Sequence, residues 1–197
     1  MEKLNELIKI LRTNGVAVIP TDTIYGLVGS ALAPEAAARL RRLKKRSPEK
    51  SFIVLIADWS DLVKLGVTAD EATQRLAEKL WREEPTSIIF PRKNGETVAL
   101  RLPHRAPELR ELLRQTGPLA APSANPEGAP PAATIAEGRA CFGDEVDYYL
   151  DGDAAGWRMT GSPSRLVALE IEQARPNDWR RSVGQVIIKR HGNGKQK

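Results

Sequence analysis

Cysteine and histidine are scarce in this chain of 197 residues. The single cysteine, Cys141, excludes a disulfide framework and a cysteine-based zinc site, and we expect it to be a buried structural thiol. With only His104 and His191 present, acid–base catalysis by histidine is not favoured. His104 follows Pro103 and could cap the next helix, whereas His191 lies near the C-terminus.

Long apolar runs are also missing, and none approaches the roughly 20 residues that a membrane-spanning helix needs. The first residues, MEKLNELIKILRTNG, have the spacing of an amphipathic helix rather than the pattern of a signal peptide. Hydrophobic residues make up 41% of the chain and charged residues 28%, which excludes disordered and collagen-like classes. We therefore expect a globular, cytoplasmic protein without a membrane partner.

The charge is moderately basic, with 30 Lys and Arg against 25 Asp and Glu and a net charge of +5. This excess favours anionic partners such as nucleotides or RNA, although a soluble surface would also account for it. Part of it lies in RRLKKR at 41–46 and part in the C-terminal residues. We predict that 191–197 is a disordered basic tail, which serves solubility unless it contacts RNA.

Helical and strand patterns alternate along the chain and predict a single domain over residues 1–190. Helices are predicted at 2–13, 34–46, 69–81, 107–115 and 133–143. Strands are predicted at 16–19, 51–57, 86–90, 97–102, 118–121, 146–150, 165–169 and 185–189. The Asn-Gly pair in PRKNGE predicts a hairpin in the middle of the chain. The pattern therefore predicts an α/β fold with a twisted, mixed sheet flanked by helices.

Several common catalytic signatures are absent. The chain has no Walker phosphate loop, no GxGxxG after a strand, no HExxH and no GxSxG. Ordinary kinase, dehydrogenase, zincin and esterase functions therefore have no support.

Polar clusters instead stand at the junctions between strands and loops. They are PTDTIYGL at 20–27, KKRSPEK at 44–50, LRLP at 100–103 and PSANPEG at 122–128. Each has a purely structural interpretation: a capped turn, a solvated helix end favoured by the helix dipole, or an Asx turn. Because strand ends in an open α/β sheet converge on one crevice, the four segments together favour a ligand site. Their cations suit phosphate, and their hydroxyls and amides suit the orientation of a ligand.

These four motifs, in this order and spacing, resemble the YrdC-like family of threonylcarbamoyl-adenylate synthases. The resemblance covers roughly residues 5–188, and the defining pair of motifs is Lys44 with Arg46 and Ser123 with Asn125. It implies a concave, positively charged cavity on the sheet. It also implies a nucleotidyltransferase that condenses L-threonine, bicarbonate and ATP, with Mg²⁺, into threonylcarbamoyl-AMP and pyrophosphate. Separate transferase proteins would then use the product to make threonylcarbamoyladenosine in tRNA.

The resemblance further implies roles for individual residues. The threonine and bicarbonate side is assigned to Thr21, Thr23, Tyr25, Lys50 and Arg101. Nucleotide binding is assigned to Lys44, Arg46, Ser87, Ser123, Asn125, Ser164 and Arg180, with Arg180 preferred over Arg181. The expected catalytic cations are Lys44 and Arg46. Metal ligands stay open, since Asp22 could either cap its turn or reach the metal.

The chain departs from the family pattern at several positions, including Ser87, which stands where threonine is usual, and one extra residue before the strand at 86–90. Glu83 and Glu84 precede the strand at 86–90, Glu127 stands where serine is common, and Arg165 takes the usual place of threonine. Carboxylates near a triphosphate site would repel it unless they bind metal or point away.

The departures and the charge of +5 keep a second function open: a non-catalytic member of the same fold that binds tRNA or double-stranded RNA. No RNP-type aromatic motif supports this function. A third hypothesis is a relative that handles carbamoyl phosphate, and the missing zinc-finger cysteines argue against it.

Overall fold

The structure is a computed structural model that describes residues 2–47, 50–172 and 185–190, with side chains described up to residue 169. These residues form strands β1 (Val16–Pro20), β2 (Tyr25–Ser30), β3 (Ile53–Leu55), β4 (Thr86–Pro91), β5 (Thr97–Arg101), β6 (Leu119–Ala120), β7 (Tyr148–Tyr149), β8 (Arg165–Glu172) and β9 (Gln185–Arg190). Their α-helices are α1 (Glu2–Arg12), α2 (Pro34–Lys44), α3 (Asp61–Lys64), α4 (Glu71–Glu83), α5 (Pro107–Thr116), α6 (Ile135–Phe142) and α7 (Gly152–Ala155). One 3₁₀ turn spans Gly143–Glu145.

The strands join into one nine-stranded sheet in the order β7, β1, β2, β6, β3, β5, β4, β8, β9. Strand β1 pairs parallel with β7, β3 with β5, and β4 with β8, while the other neighbours are antiparallel. The predicted mixed α/β sheet is therefore confirmed, and so is the predicted β4–β5 hairpin.

Alternation along the central strands gives the sheet two different faces. One face is apolar and packs against α4 around Trp81, with inward residues such as Ile88, Leu100 and Val167 in the same buried cluster. On the opposite face, the intervening residues Ile53, Ile89, Ala99 and Leu166 border a cavity. One face of the sheet therefore supplies core, and the other supplies a site.

Helix α4 illustrates how local sequence sets the helix boundaries. The side chain of Asp70 accepts a hydrogen bond from the backbone N–H of Thr73 at 2.7 Å, which caps the first turn. The predicted helix at 69–81 therefore begins two residues later and extends to Glu83. Helix α2 ends at Lys44 rather than at residue 46, because Lys45 adopts a left-handed conformation with φ 51°.

Two sequence expectations about single residues are wrong. Cys141 is exposed rather than buried, since it lies on the outward face of α6. His104 does not cap the next helix, because α5 has Ala106 at its N-cap and no side-chain capping bond.

Strand β2 is a larger omission, since the sequence predicts only a polar motif up to residue 27 and no element at 28–30. They pair antiparallel with β1 in the register Val16 to Gly29 through Pro20 to Tyr25. The short helices α3 and α7 were also not predicted. Among the described residues, no helix has the length and apolar character needed to cross a membrane. The tail predicted at 191–197 lies outside the described residues.

Candidate functional site

The turn between β1 and β2 is built by its own threonine hydroxyls. The Oγ1 of Thr21 donates to the carbonyl of Ile24 at 2.7 Å, and the backbone N–H of Thr23 donates to Thr21 Oγ1 at 3.2 Å. The two hydroxyl oxygens lie 3.0 Å apart, and both residues are buried. Both residues also line the cavity. The structural and the ligand-binding interpretations of this segment are therefore compatible.

Backbone hydrogen bonds tie this hairpin to the PSANPEG loop. The N–H of Leu27 donates to the carbonyl of Pro122, and the N–H of Ala124 donates to the carbonyl of Tyr25, each at 2.9 Å. Gly26 lies between them, and a Cβ at this position would come within 2.9 Å of Thr21 Cγ2. A side chain at residue 26 would therefore disturb the threonine turn.

Lys44 holds the same loop from the other side. Its Nζ donates to the Ser123 carbonyl at 2.8 Å, to Asn125 Oδ1 at 3.0 Å and to Ser123 Oγ at 3.3 Å. Lys44 is 3% exposed, so the interpretation as a solvated helix end is wrong for this residue. Burial, assisted by the charge of Arg46, lowers the pKa of Lys44 to about 8.

Arg46 reaches the cavity because the left-handed Lys45 ends the helix just before it. Its Nη2 donates to the carbonyl of Ser51 at 2.9 Å, and its guanidinium lies 5.4 Å from the ring centre of Phe52. Burial is the main cause that lowers the pKa of Arg46. Its Nε is buried and has no hydrogen-bond partner among the residues that the structure describes. Arg46 therefore belongs to the cavity lining and keeps one buried donor, Nε, without a described partner.

Arg101 is the second cation of the cavity lining and the last residue of β5. Its Nη2 lies 3.1 Å from Asp22 Oδ1 and 3.5 Å from Thr21 Oγ1. Burial raises the pKa of Asp22 and lowers the pKa of Arg101, while the attraction between the two charges opposes both shifts.

Two serines form a further contact at the edge of the cavity. The Oγ atoms of Ser87 on β4 and Ser164, just before β8, lie 2.9 Å apart. Ser164 lines the cavity, whereas Ser87 is fully buried behind it. The parallel pairing of Thr86 with Arg165 brings the two serines together.

The cavity has a volume of about 370 Å³. The predicted site residues in its lining are Thr21, Thr23, Tyr25, Arg46, Arg101, Ser123 and Ser164. The charged residues in this lining are Arg46 and Arg101, and no carboxylate belongs to it in the described part of the chain. Residues from all four motifs thus meet at one cavity, and two arginines belong to its lining.

Other predicted site residues lie outside the lining. Lys44 and Asn125 contact Ser123 from behind, and Ser87 does the same for Ser164. Lys50 forms an ion pair with Glu127 instead of facing the cavity. The hydroxyl of Tyr25 accepts a hydrogen bond from the N–H of Gly152 at 3.0 Å, which fixes the position of the ring. Arg180 and Arg181 lie outside the described residues.

The residues that depart from the family pattern pair with cations of this chain. Glu84 contacts Arg165 at 2.6 Å, Glu83 lies 3.9 Å from Lys79, and Glu127 pairs with Lys50. None of these carboxylates belongs to the described cavity lining. Glu127 still lies near enough to Arg46 and Lys44 for its charge to raise the pKa of both, against the effect of burial.

Sequence reasoning missed the apolar part of the lining and the partner of Asp22. Ile53, Ile89 and Leu166 border the cavity, and their alternation with core residues was the available signal. The contact between Asp22 and Arg101 joins residues far apart in the sequence, and no local pattern marks it.

Comparison with known proteins supports the family resemblance. The Sua5/YciO/YrdC family model, described as "Telomere recombination", matches residues 9–181. The threonylcarbamoyl-AMP synthase of Coxiella burnetii is 32% identical over 162 residues, which cover 77% of this chain and 86% of that protein. The synthase of Bacillus subtilis is 37% identical over 167 residues, covering 80% of this chain and 45% of that protein.

A solved structure supports the fold. A variant of Sua5 from P. abyssi superposes with a TM-score of 0.71 at 26% identity, covering 84% of this chain and 52% of that structure. This chain therefore spans about half the length of that structure. The expected fold class is confirmed by the superposition, and the resemblance by the family match.

Proposed function

The chain belongs to the Sua5/YciO/YrdC family, and on this premise we propose that it is a threonylcarbamoyl-AMP synthase. In this reaction the threonine amine and bicarbonate form a carbamate with loss of water, and the carbamate takes the AMP group of ATP with release of pyrophosphate. The names of the two relatives, at 32% and 37% identity, support an enzyme of this kind. Its assignment to the nucleotidyltransferases is part of our proposal. The observation that carries the proposal is a cavity lined by two arginines and several hydroxyls, without a carboxylate among the described residues.

The chemistry needs charge stabilisation and positioning rather than a protein nucleophile. When a carbamate oxygen attacks the α-phosphate, negative charge grows on the phosphoryl oxygens and on the leaving pyrophosphate. Fixed cations stabilise that charge without moving during the reaction. We assign this role to Arg46, whose Nε has no other described partner. Ser123 and Ser164, which also line the cavity, supply hydroxyls for the nucleotide in this proposal.

The threonine side of the cavity is assigned to Thr21, Thr23 and Arg101. Their hydroxyls and guanidinium lie within a connected set of contacts, from 3.0 Å between the hydroxyls to 3.5 Å between Arg101 and Thr21. A guanidinium suits a carboxylate, and hydroxyls suit small polar groups. If threonine, bicarbonate and ATP are held in one cavity, their reacting groups meet in a fixed geometry instead of by collision in solution.

Lys44 supports the nucleotide side indirectly in this proposal. Its three ammonium hydrogens have three acceptors on Ser123 and Asn125 at 2.8 to 3.3 Å. The ammonium therefore fixes the loop that carries the Ser123 hydroxyl. Lys50, paired with Glu127, would need to leave that partner to contact a phosphate.

Mg²⁺ enters this proposal as part of the ATP substrate. Among the described residues, no group of three or more His, Cys, Asp or Glu could hold a resident metal ion. Hydroxyl-bearing side chains such as Thr21, Thr23 and Ser123 line the cavity, and the triphosphate itself offers the oxygen ligands that Mg²⁺ prefers. The bound ion would neutralise charge on the triphosphate.

The experiment is a pyrophosphate-release assay with ATP, Mg²⁺ and bicarbonate, with and without L-threonine. We expect release only with threonine, and its loss in Arg46→Ala. The control is Arg75→Ala, because Arg75 is exposed on α4, lies outside the cavity lining and pairs with Glu71 in the same helix. Release that does not need threonine, or no release, would overturn the proposal. Salt-dependent tRNA binding without ATP binding would instead favour the RNA-binding alternative.

We further propose that the product passes to separate transferase proteins that modify tRNA. Threonylcarbamoyl-AMP is a mixed anhydride, so a protein that accepts the acyl group must follow in the reaction sequence. The check is the formation of threonylcarbamoyladenosine when this protein, tRNA and a purified transferase are combined. Formation of the nucleoside without this protein would contradict the assignment.

A further inference from the structure

We propose that Asp22 is a positioning residue that holds the Arg101 guanidinium ready for the carboxylate-type anion among the substrates. This inference rests on the proposed function and names a part of it. The anion is either the carboxylate of threonine or bicarbonate, which share this chemistry.

The contact between the two residues is buried and long-range. Asp22 Oδ1 lies 3.1 Å from Arg101 Nη2, and each side chain is 5% exposed. Asp22 lies in the turn between β1 and β2, whereas Arg101 ends β5 in another part of the sheet. Backbone bonds hold the turn in place, since the N–H groups of Thr160 and Gly161 donate to the carbonyls of Asp22 and Thr23 at 3.3 and 2.8 Å.

The pair leaves polar atoms unused beside the cavity. Among the described residues, Asp22 Oδ1 and Arg101 Nε are buried and have no hydrogen-bond partner. The two charges lie 3.1 Å apart as an ion pair, without a hydrogen bond to Asp22 Oδ1. Buried polar atoms without partners are rare and costly, and they call for a ligand or another explanation.

Only one member of the pair reaches the cavity. Arg101 belongs to the described lining, and Asp22 does not. A ligand would therefore meet the guanidinium, and the carboxylate would act through it. This arrangement distinguishes Asp22 from a residue that touches substrate.

In the free protein, the Asp22 carboxylate supplies the counter-charge of the Arg101 guanidinium. A buried guanidinium without a counter-charge is strongly unfavourable, and removing one partner of a buried pair exposes that cost. With Asp22 in place, Arg101 stays ionised and fixed before the anion arrives, so no reorganisation is needed on binding. The ligand would then bind a guanidinium that is already charged and in position at the cavity.

The location predicts which substrate is affected. Arg101 is in contact with Thr21, on the threonine side of the cavity. The nucleotide is assigned to a different arginine, Arg46, whose buried Nε has no described partner. Loss of the Asp22 charge should therefore weaken threonine or bicarbonate binding and spare ATP.

The experiment measures steady-state pyrophosphate release by Asp22→Asn while each of the three substrates is varied separately. We expect the KM for threonine, or for bicarbonate, to rise at least about tenfold, and the KM for ATP to stay within about twofold. Which of the two rises identifies the anion. The matched control is Asp61→Asn, because Asp61 is also a buried, ion-paired carboxylate, with Lys64 as its partner, and lies outside the lining.

Chloride provides a readout that a merely structural role would not move. Without Asp22, Arg101 is an uncompensated cation and should recruit chloride, which then competes with the affected substrate in Asp22→Asn and not in the wild type. Asp22→Glu should remove this inhibition. Unchanged KM values, or equal increases in all three without chloride competition, would overturn the proposal.

If Asp22→Asn does not fold, a double variant in which both residues are neutral tests the proposal instead. The double variant Asp22→Asn/Arg101→Gln carries no uncompensated charge, so we expect it to fold and to be insensitive to chloride. Failure of this variant to fold as well would overturn the proposal, since the charge of Arg101 would then not be the cause. If the wild type is active and Asp22→Asn has the same KM values, only this inference is refuted. If the wild type itself is inactive, the proposed function is refuted.

Discussion

Replacing Lys44 with methionine tests whether the ammonium holds the Ser123–Asn125 loop. Methionine keeps most of the side-chain volume and removes the charge. Two of the three lost contacts are short, at 2.8 and 3.0 Å, and they join a charged donor to buried acceptors. Bonds to charged groups contribute about 1.5 to 3 kcal/mol each. Because the cost of burying the ammonium opposes them, we expect a net loss of about 2 to 4 kcal/mol.

For a chain of this size, that loss corresponds to a decrease in Tm of roughly 5 to 15 °C. Thermal unfolding followed by circular dichroism measures it, and the KM for ATP reports on the loop. Lys45→Met is the control, because Lys45 is the next residue, carries the same charge and is exposed. If both variants unfold at the same temperature, the loop is not held by the Lys44 ammonium.

The remaining predictions concern pH, packing and a surface ion pair. Because burial lowers the pKa of Lys44 to about 8, its charged form is lost as the pH rises through that value. We therefore expect kcat/KM to fall above pH 8. In Lys44→Arg the side chain stays charged, so kcat/KM should not fall in this range. Gly26→Ala places a Cβ 2.9 Å from Thr21 Cγ2, so we expect a higher KM for threonine and about 1 to 3 kcal/mol lower stability, and normal kinetics would contradict the contact. Lys50→Ala removes an exposed pair with Glu127 and should leave Tm unchanged, while a raised KM for threonine or bicarbonate would show that Lys50 reaches these substrates.

The sequence was sufficient to predict strands whose residues are mostly apolar and that lie next to clear turn signals. The strands at 16–19, 86–90 and 97–102 are examples. The first is buried throughout, whereas alternate residues of the other two pack into one apolar cluster. Strand β2 was missed because Gly26 and Gly29 interrupt its apolar pattern, and glycine is rare in strands. Close neighbours explain both glycines: Thr21 lies against Gly26, and Val16 and Ala36 lie against Gly29.

The site was predictable as a set of motifs, and its internal contacts were not. RRLKKR is a run of cations, for which solvent exposure is the ordinary expectation, yet Lys44 is buried under a loop some 80 residues later in the chain. The pairing of Asp22 with Arg101 depends in the same way on the order of strands in the sheet. Such contacts follow from tertiary structure, on which local patterns carry no information.

The left-handed residue after α2 sets a limit on changes in chain length. An α-helix turns by about 100° per residue, so one inserted or deleted residue within α2 would rotate Lys44 by that angle about the helix axis. Its ammonium would then leave Ser123 and Asn125, and the turn at Lys45 would send Arg46 in another direction. The exposed residues of α2 can therefore vary in identity, while the number of residues between Pro34 and Lys45 should be resistant to change.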